Sequence, residues 1–193
     1  PDTPSKGWDA MCKRICTWVV LEEKESGKRY VHMNAHMDHI GVEARENGAK
    51  LIAEKASEFD VPVVLTGDFN TDEGTDAYNT IVAAGFMDTK YCADETMSMG
   101  TYHNFGMKNV EKKGASPIDF IFVSYAKAKV ESYKVLSGKV DGAYYSDHYP
   151  VVSKMKLSYE NIGETGIRIM SYNLRFRDPL QRLQELTDVI ATV

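Results

Sequence analysis

Val-Pro-Val-Val-Leu-Thr-Gly-Asp-Phe-Asn-Thr, residues Val61 to Thr71, is the stretch around which this chain is organised. Its apolar residues Val61, Val63, Val64 and Leu65 read as a buried strand. Gly67 lets the backbone turn, and Asp68 and Asn70 follow with Phe69 between them. Residues two apart in extended chain point the same way, so Asp68 and Asn70 stand side by side at the strand end. A carboxylate beside a carboxamide has two readings. It closes the strand as an Asx turn, or it holds a hard cation or a water that must lose a proton near phosphate.

The segments on the N-terminal side supply a partner for that strand. Ile15 to Leu21 and Arg29 to Met33 are rich in β-branched and aromatic residues, and the charged run Glu22 to Gly27 separates them as a hairpin turn. Arg14, at the mouth of the first strand, is either a surface charge or a phosphate contact. The second strand runs into Asn34-Ala35-His36-Met37-Asp38-His39. Clustered this way, His36 becomes a candidate for acid/base work or phosphate contact, and Asn34 for substrate binding. Val42 to Phe59 then repeats as a helix, with Ala44, Leu51, Ile52, Ala56 and Phe59 on its apolar face. Strand, helix and strand make a layered α/β unit.

On the C-terminal side, Thr75 to Phe86 reads as a second helix, with Ala77, Tyr78, Ile81 and Val82 at helical spacing and Gly85 at its end. Met87 to Ser116 is polar and loop-rich. Its Tyr102, His103, Asn104 and Phe105 either line a substrate cleft or form an ordinary loop. Pro117 to Val123 is an apolar strand interrupted by Asp119, a carboxylate that needs a partner in such company. A histidine is the natural partner, and His148 stands in Ser146-Asp147-His148-Tyr149-Pro150, just before the strand Val151 to Leu157.

A chain of 193 residues is long enough for one domain with a real core, and 43% apolar with 26% charged residues is ordinary for a globular protein. The net charge of -5 argues against a generic binder of long nucleic acid, though not against a local basic cleft. No run approaches the roughly 20 apolar residues needed to span a bilayer. The cysteines Cys12, Cys16 and Cys92 match no metal or redox spacing and do not fix the compartment. The chain is expected to be secreted or periplasmic only if a leader was removed before Pro1.

Four blocks, in this order, resemble the endonuclease/exonuclease/phosphatase superfamily: Asn34-Ala35-His36-Met37, Thr66-Gly67-Asp68-Phe69-Asn70, Ile118-Asp119-Phe120-Ile121 and Ser146-Asp147-His148-Tyr149-Pro150. Asp38-His39-Ile40-Gly41 with Ala44-Arg45, and Thr101-Tyr102-His103-Asn104-Phe105, look most like its bacterial metal-dependent hydrolase branch. The resemblance implies a DNase-like, two-sheet α/β sandwich with outer helices and a site at the strand ends. It implies that Asp68 deprotonates the attacking water and that Asn70 holds the water and the phosphate. His148, oriented by Asp119, and His36 would contact the phosphate and share acid/base work. Asp147 would support a divalent ion, Mg²⁺ or Mn²⁺, and His103 would face substrate.

The C-terminus departs from the pattern. Gly166 to Arg175 looks like the family's first strand, with Asn173 joining the metal and phosphate site, yet here it comes last, after a polar connector from Ser158 to Thr165. Residues 166–193 thus correspond to the family's N-terminal part within one domain spanning 1–193. The order implies a permutation, a strand exchanged between chains in an oligomer, or missing segments. Gln184-Glu185 has the letters of the family's metal-binding glutamate, but a crossover needs about 10–12 residues besides its strands. Leu183, Leu186, Val189 and Ile190 repeat as on a helix, which places Glu185 on a helix surface.

Two functions remain open on this reading. The first is a divalent-metal-dependent phosphoester hydrolase, a phosphodiesterase or phosphatase, using in-line attack of water. The second is a binding module for phosphate ligands that has lost its metal glutamate. Nucleic acid, inositol phosphate, lipid and small phosphoester substrates all occur in the superfamily, and the fold does not select among them.

Overall fold

Every residue of the strand Val63–Asp68 is buried, because its two faces pack into two different cores. The computed structural model describes residues 3–112, 114–159 and 163–173. The chain runs β1 (Cys16–Glu22), β2 (Arg29–His36), α1 (Val42–Ala56), β3 (Val63–Asp68), α2 (Asp76–Ala83), β4 (Phe86–Asp88), α3 (Thr89–Cys92), β5 (Glu95–Met97), β6 (Asp119–Ser124), β7 (Ala128–Val135), β8 (Val151–Tyr159) and β9 (Gly163–Ser171). One sheet has the order β1-β2-β3-β6-β4 and the other β5-β7-β8-β9. This is the two-sheet sandwich with outer helices that the sequence implies.

The hairpin β1–β2 is antiparallel, while β2 and β3 are parallel and joined through α1. Val63 and Leu65 of β3 join Val31, Met33, Phe120, Phe122, Tyr78 and Ile81 in the core beneath the helices. Val64 turns to the other side, where Ile121, Val123, Tyr133, Val151, Met155 and Leu157 fill the space between the sheets. A strand buried on both faces reads as an unbroken apolar run. Each such side chain contributes about 1.5–3 kcal/mol by leaving water.

The start of α1 is capped from a distance. Its N-cap residue Gly41 has no side chain to offer. Asp9 serves instead, its Oδ1 accepting from the Ala44 amide at 2.7 Å and its Oδ2 from the Glu43 amide at 3.2 Å. The buried face of α1 is Ala49, Ile52 and Ala56. Leu51, expected on that face, is exposed, because its position puts it on the rim beside the chain leading into β1. Phe59, just past the helix, packs on Trp18 of β1 with ring centroids 5.6 Å apart.

Four segments differ from the sequence reading. The second helix stops at Ala83, because Gly85 takes φ +91° and turns the chain so that Phe86 begins β4. The segment after it, expected to be loop, contains β4, α3 and β5, elements too short for a periodic signal. Strand β7 carries no strand signal in the sequence because Lys129, Glu131 and Lys134 stud it, and a register shift between Val130 and Ser132 breaks its alternation.

In the segment expected as a polar connector from Ser158 to Thr165, the described residues Ser158, Tyr159 and 163–165 are strand. Here β8 and β9 stay in register out to Tyr159 and Gly163. Residues 174–193, with Glu185 and the helix expected around it, lie outside the described residues. Among the described residues, no helix is long and apolar enough to cross a membrane.

Candidate active site

The sheet register delivers three site residues to one level. His36 ends β2, Asp68 ends β3 and Asp119 begins β6, and the pairings His36–Asp68 and Asp68–Asp119 are direct. Gly67 makes the tight approach possible. A Cβ there would lie 1.7 Å from the Ala35 carbonyl oxygen, and its φ of +145° suits only glycine. Phe69 is fully buried against Phe120 and Phe122, and its amide donates to the Ile118 carbonyl at 2.8 Å. Asp68 and Asn70, on either side of it, are thereby fixed.

The Asx-turn reading of the Asp68–Asn70 pair describes what is found. Asp68 Oδ1 accepts from the Asn70 amide at 2.9 Å, an Asx turn, and Asn70 takes φ +47°. Its side-chain amide donates to the Met37 carbonyl at 3.0 Å, which ties the ends of β3 and β2. The other Asp68 oxygen, Oδ2, faces a group of partners. Asn173 Nδ2 donates to it at 2.7 Å, His36 Nε2 lies at 3.4 Å and His148 Nε2 at 3.8 Å. Burial, together with the neighbouring Asp119 charge, pushes the Asp68 carboxyl up to about 7.

His148 is held on its far side. Its Nδ1 lies 2.7 Å from Asp119 Oδ2, which leaves Nε2 toward Asp68. Burial pulls the His148 pKa down, but the Asp119 hydrogen bond and charge outweigh it and the pKa is raised. Asp119 Oδ1 is buried with no hydrogen-bond partner among the described residues. His36 is the opposite case. Burial first, and the Arg14 charge second, lower it to about 4, so it is a neutral imidazole near pH 7.

The remaining candidates are placed as follows. Asn34 shares a face with His36 two residues back along β2, and its Nδ2 donates to Thr66 Oγ1 at 2.9 Å. Arg14 stands beside His39, Nη2 to Nδ1 at 3.2 Å, and beside Asp38. Asp147 is buried, and its carbonyl accepts from the His103 and Asn104 amides at 2.9 and 3.0 Å. His103 is 1% exposed, stacked on Tyr149 at 4.0 Å, and its Nδ1 accepts from the Gly106 amide at 3.0 Å. Burial lowers its pKa. The structure thus gathers His36, Asp68, Asn70, Asp119, His148 and Asn173, and buries His103, expected to face substrate, against the rings of Tyr144 and Tyr149.

Further residues shape the site, of which Tyr102 was a cleft candidate in the sequence while Ser146 and Thr101 carried no assigned role. Ser146 donates its hydroxyl to the Asn173 carbonyl and accepts from the His148 amide, linking the end of β9 to the histidine. Thr101 Oγ1 accepts from the Ile118 and Asp119 amides at 3.1 and 3.3 Å. Tyr102 lies over the His148 ring at 5.0 Å, with the Lys108 ammonium 4.0 Å above the tyrosine. All three lie within or beside motif blocks, but hydroxyls in loops give no spacing signal of their own.

For a divalent ion, the donor set is suitable. Asp68, Asp119 and His148 bring ligand atoms within 4.8 Å of one another, and Asp119 Oδ1 is a buried oxygen with no hydrogen-bond partner among the described residues. The Asn173 amide adds a neighbouring oxygen, and hard cations take such oxygen ligands. Asp147 does not belong to that group among the described residues.

A two-sheet α/β sandwich with carboxylates, histidines and amides meeting at the strand ends defines a class of phosphoester-processing folds. The chain belongs to the Endonuclease/Exonuclease/phosphatase family, whose model matches residues 6–148. It is similar to a mannosyl-6-phosphatase of Bacteroides thetaiotaomicron, with 38% identity and a TM-score of 0.71 over 82% of this chain and 62% of that one. It is also similar to a family protein of Bacteroides vulgatus, with 35% identity and a TM-score of 0.72 over 80% of this chain and 59% of that one. An uncharacterized protein of Acanthamoeba polyphaga mimivirus is 38% identical over 79 residues, 38% of this chain and 29% of that protein. The chain thus spans about 60% of the length of the solved relatives.

Proposed function

We propose that this chain carries the reaction centre of a Mg²⁺-dependent phosphoester hydrolase acting by in-line attack of water. One observation carries the reading. A buried Asp68 carboxyl with a pKa near 7 lies 3.8 Å from the Nε2 of a histidine whose Nδ1 is fixed by a second buried carboxylate. The similarity to a protein named a mannosyl-6-phosphatase supports a phosphoester bond as the target.

In this reading Asp68 takes the proton of the attacking water, and Asn70 and Asn173 hold the water and one phosphoryl oxygen by their amides. The His148 imidazole, with Asp119 stabilising its charged form, donates to a phosphoryl oxygen where negative charge grows. His36, neutral and more exposed, donates a hydrogen bond from the opposite side. A divalent ion held by Asp68, Asn173 and Asp119 Oδ1 would supply further charge neutralisation.

The test is hydrolysis of p-nitrophenyl phosphate and bis-p-nitrophenyl phosphate with Mg²⁺, repeated after chelation. Turnover lost on chelation and restored by Mg²⁺ or Mn²⁺ is expected. A folded protein that turns over neither ester with any divalent ion contradicts the reading.

A further inference from the structure

We propose that β1 is a pairing edge for a second copy of this chain, the two β1 strands running antiparallel with Trp18 facing Trp18 across a twofold axis.

Strand β1 ends its sheet, so among the described residues one side of its backbone has no ladder partner. Natural edge strands are kept short, or carry a charge, a proline or a bulge that discourages pairing. The other three outer strands follow that rule. β4 and β5 have three residues each, and β9 carries Glu164 and Arg168. β1 does not follow it. Its register with β2 runs unbroken from Cys16 to Glu22, and Ile15-Cys16-Thr17-Trp18-Val19-Val20-Leu21 contains neither charge nor proline. Ile15 is 71% exposed, and Trp18, Val19, Val20 and Leu21 lie between 39% and 48%.

This edge is already well held within one chain. The Trp18 ring packs on Phe59, with the Lys55 ammonium 4.5 Å from its centroid. Upstream, the Cys12 amide donates to Asp38 at 2.8 Å and Arg14 reaches His39, so residues 12–15 continue alongside the end of β2. Downstream, the Glu23 carboxylate accepts from the amides of Glu25 and Ser26 at 2.9 and 2.7 Å. Association therefore costs little further ordering.

The sequence selects both the partner and the register. Directly opposed side chains in an antiparallel pair share a face, so a twofold axis through the ladder must pass through a residue position. Centred on Trp18, the pairing sets Ile15 against Leu21, Cys16 against Val20 and Thr17 against Val19 of the second copy. It then sets Lys13 and Arg14 against Glu23 and Glu22, so cation meets anion at both ends. Centred on Val19, Ile15 and Cys16 would meet Glu23 and Glu22, and Arg14 would meet Lys24. Centred on Thr17, Leu21 and Val20 would meet Lys13 and Arg14. Of the three registers, the one on Trp18 matches apolar with apolar and charge with opposite charge throughout. Each β1 edge covers the other, so the assembly closes at two chains.

Sedimentation velocity of the full chain over a concentration series tests the interface. The mass should move from 21.7 kDa toward twice that value as concentration rises, and no further. Val19→Lys, a change at an exposed edge position, should raise the dissociation constant about tenfold or more while leaving the thermal midpoint of the dilute chain unaltered. A wild type that stays a single chain at every concentration, or grows beyond two, overturns the proposal. So does a Val19→Lys protein that associates as tightly as the wild type.

Disulfide trapping reads the register. Directly opposed residues have Cα atoms about 4.5–5.5 Å apart, within disulfide reach. Thr17→Cys and Val19→Cys chains, oxidised separately, should form no bond between their introduced thiols. Their mixture should form one between the two kinds of chain, located by peptide mapping. A bond joining two Thr17→Cys chains or two Val19→Cys chains at those positions, or none in the mixture, overturns the pairing centred on Trp18.

Discussion

Asn173 donates its side-chain amide to Asp68 Oδ2 at 2.7 Å across 105 residues of chain. Strand β9 makes this possible by pairing with β8 from Gly163 to Ser171, which carries the next residues to the site. The backbone of Asn173 is anchored separately through Ser146. Removing the amide therefore removes a contact to the carboxylate without releasing the chain. Asn173→Ala should lower kcat/KM by roughly tenfold to hundredfold, the worth of a hydrogen bond to a charged group. The thermal midpoint should move little. Unchanged kinetics would show that the amide has no part in the reaction.

Gly67 is constrained by the neighbouring strand rather than by chemistry. A methyl group there would meet the Ala35 carbonyl oxygen at 1.7 Å, and the backbone conformation is strained for any other residue. Because Ala35 and Gly67 are paired in the sheet, relief would separate β2 from β3 at the site. Gly67→Ala should cost about 3 kcal/mol or more, or prevent folding. Denaturant unfolding measures this, and a variant as stable as the wild type would contradict the packing described.

Asp88 gives a pH signature away from the site. Burial pushes its carboxyl up to about 6, despite the Lys90 amide and the Tyr78 hydroxyl that donate to it. A carboxyl raised above its unfolded value adds stability below about pH 4, and that contribution is lost as pH rises through about 6. Asp88→Asn removes the charge, keeps one oxygen to accept from the Lys90 amide, and turns an amide nitrogen toward the Tyr78 hydroxyl, whose oxygen can accept from it. Its stability relative to the wild type should improve by about 1–3 kcal/mol between pH 4.5 and 7.5. Urea midpoints at both pH values check this, and a constant difference would refute it.

Much of the fold was legible because burial on two faces writes itself into residue choice. The runs Val63 to Leu65 and Phe120 to Val123 are apolar without alternation, as central strands require. The pairing of Asp119 with His148 could be expected because a carboxylate amid Phe120 and Ile121 is costly alone. Strand β7 was hidden by its lysines and its bulge, and the hairpin β8–β9 by the polar residues beyond Leu157. Tyr102 and Ser146 act through three-dimensional placement that spacing does not encode. The buried position of His103 follows from its stacking on Tyr149, a contact between segments that no local pattern announces.

The measurement closest to the central claim is Mg²⁺-dependent turnover of p-nitrophenyl phosphate by the wild type, Asp68→Asn and His148→Ala, followed across pH. With Asp68 as the base, wild-type kcat/KM should rise with pH as its proton is lost, with a midpoint at or below about 7 because a bound cation favours the ionised form. Both variants should lose roughly 10²–10⁴-fold while remaining folded. Near-normal turnover in either variant, or a pH profile in Asp68→Asn identical to that of the wild type, would contradict the assignment of these residues to the reaction.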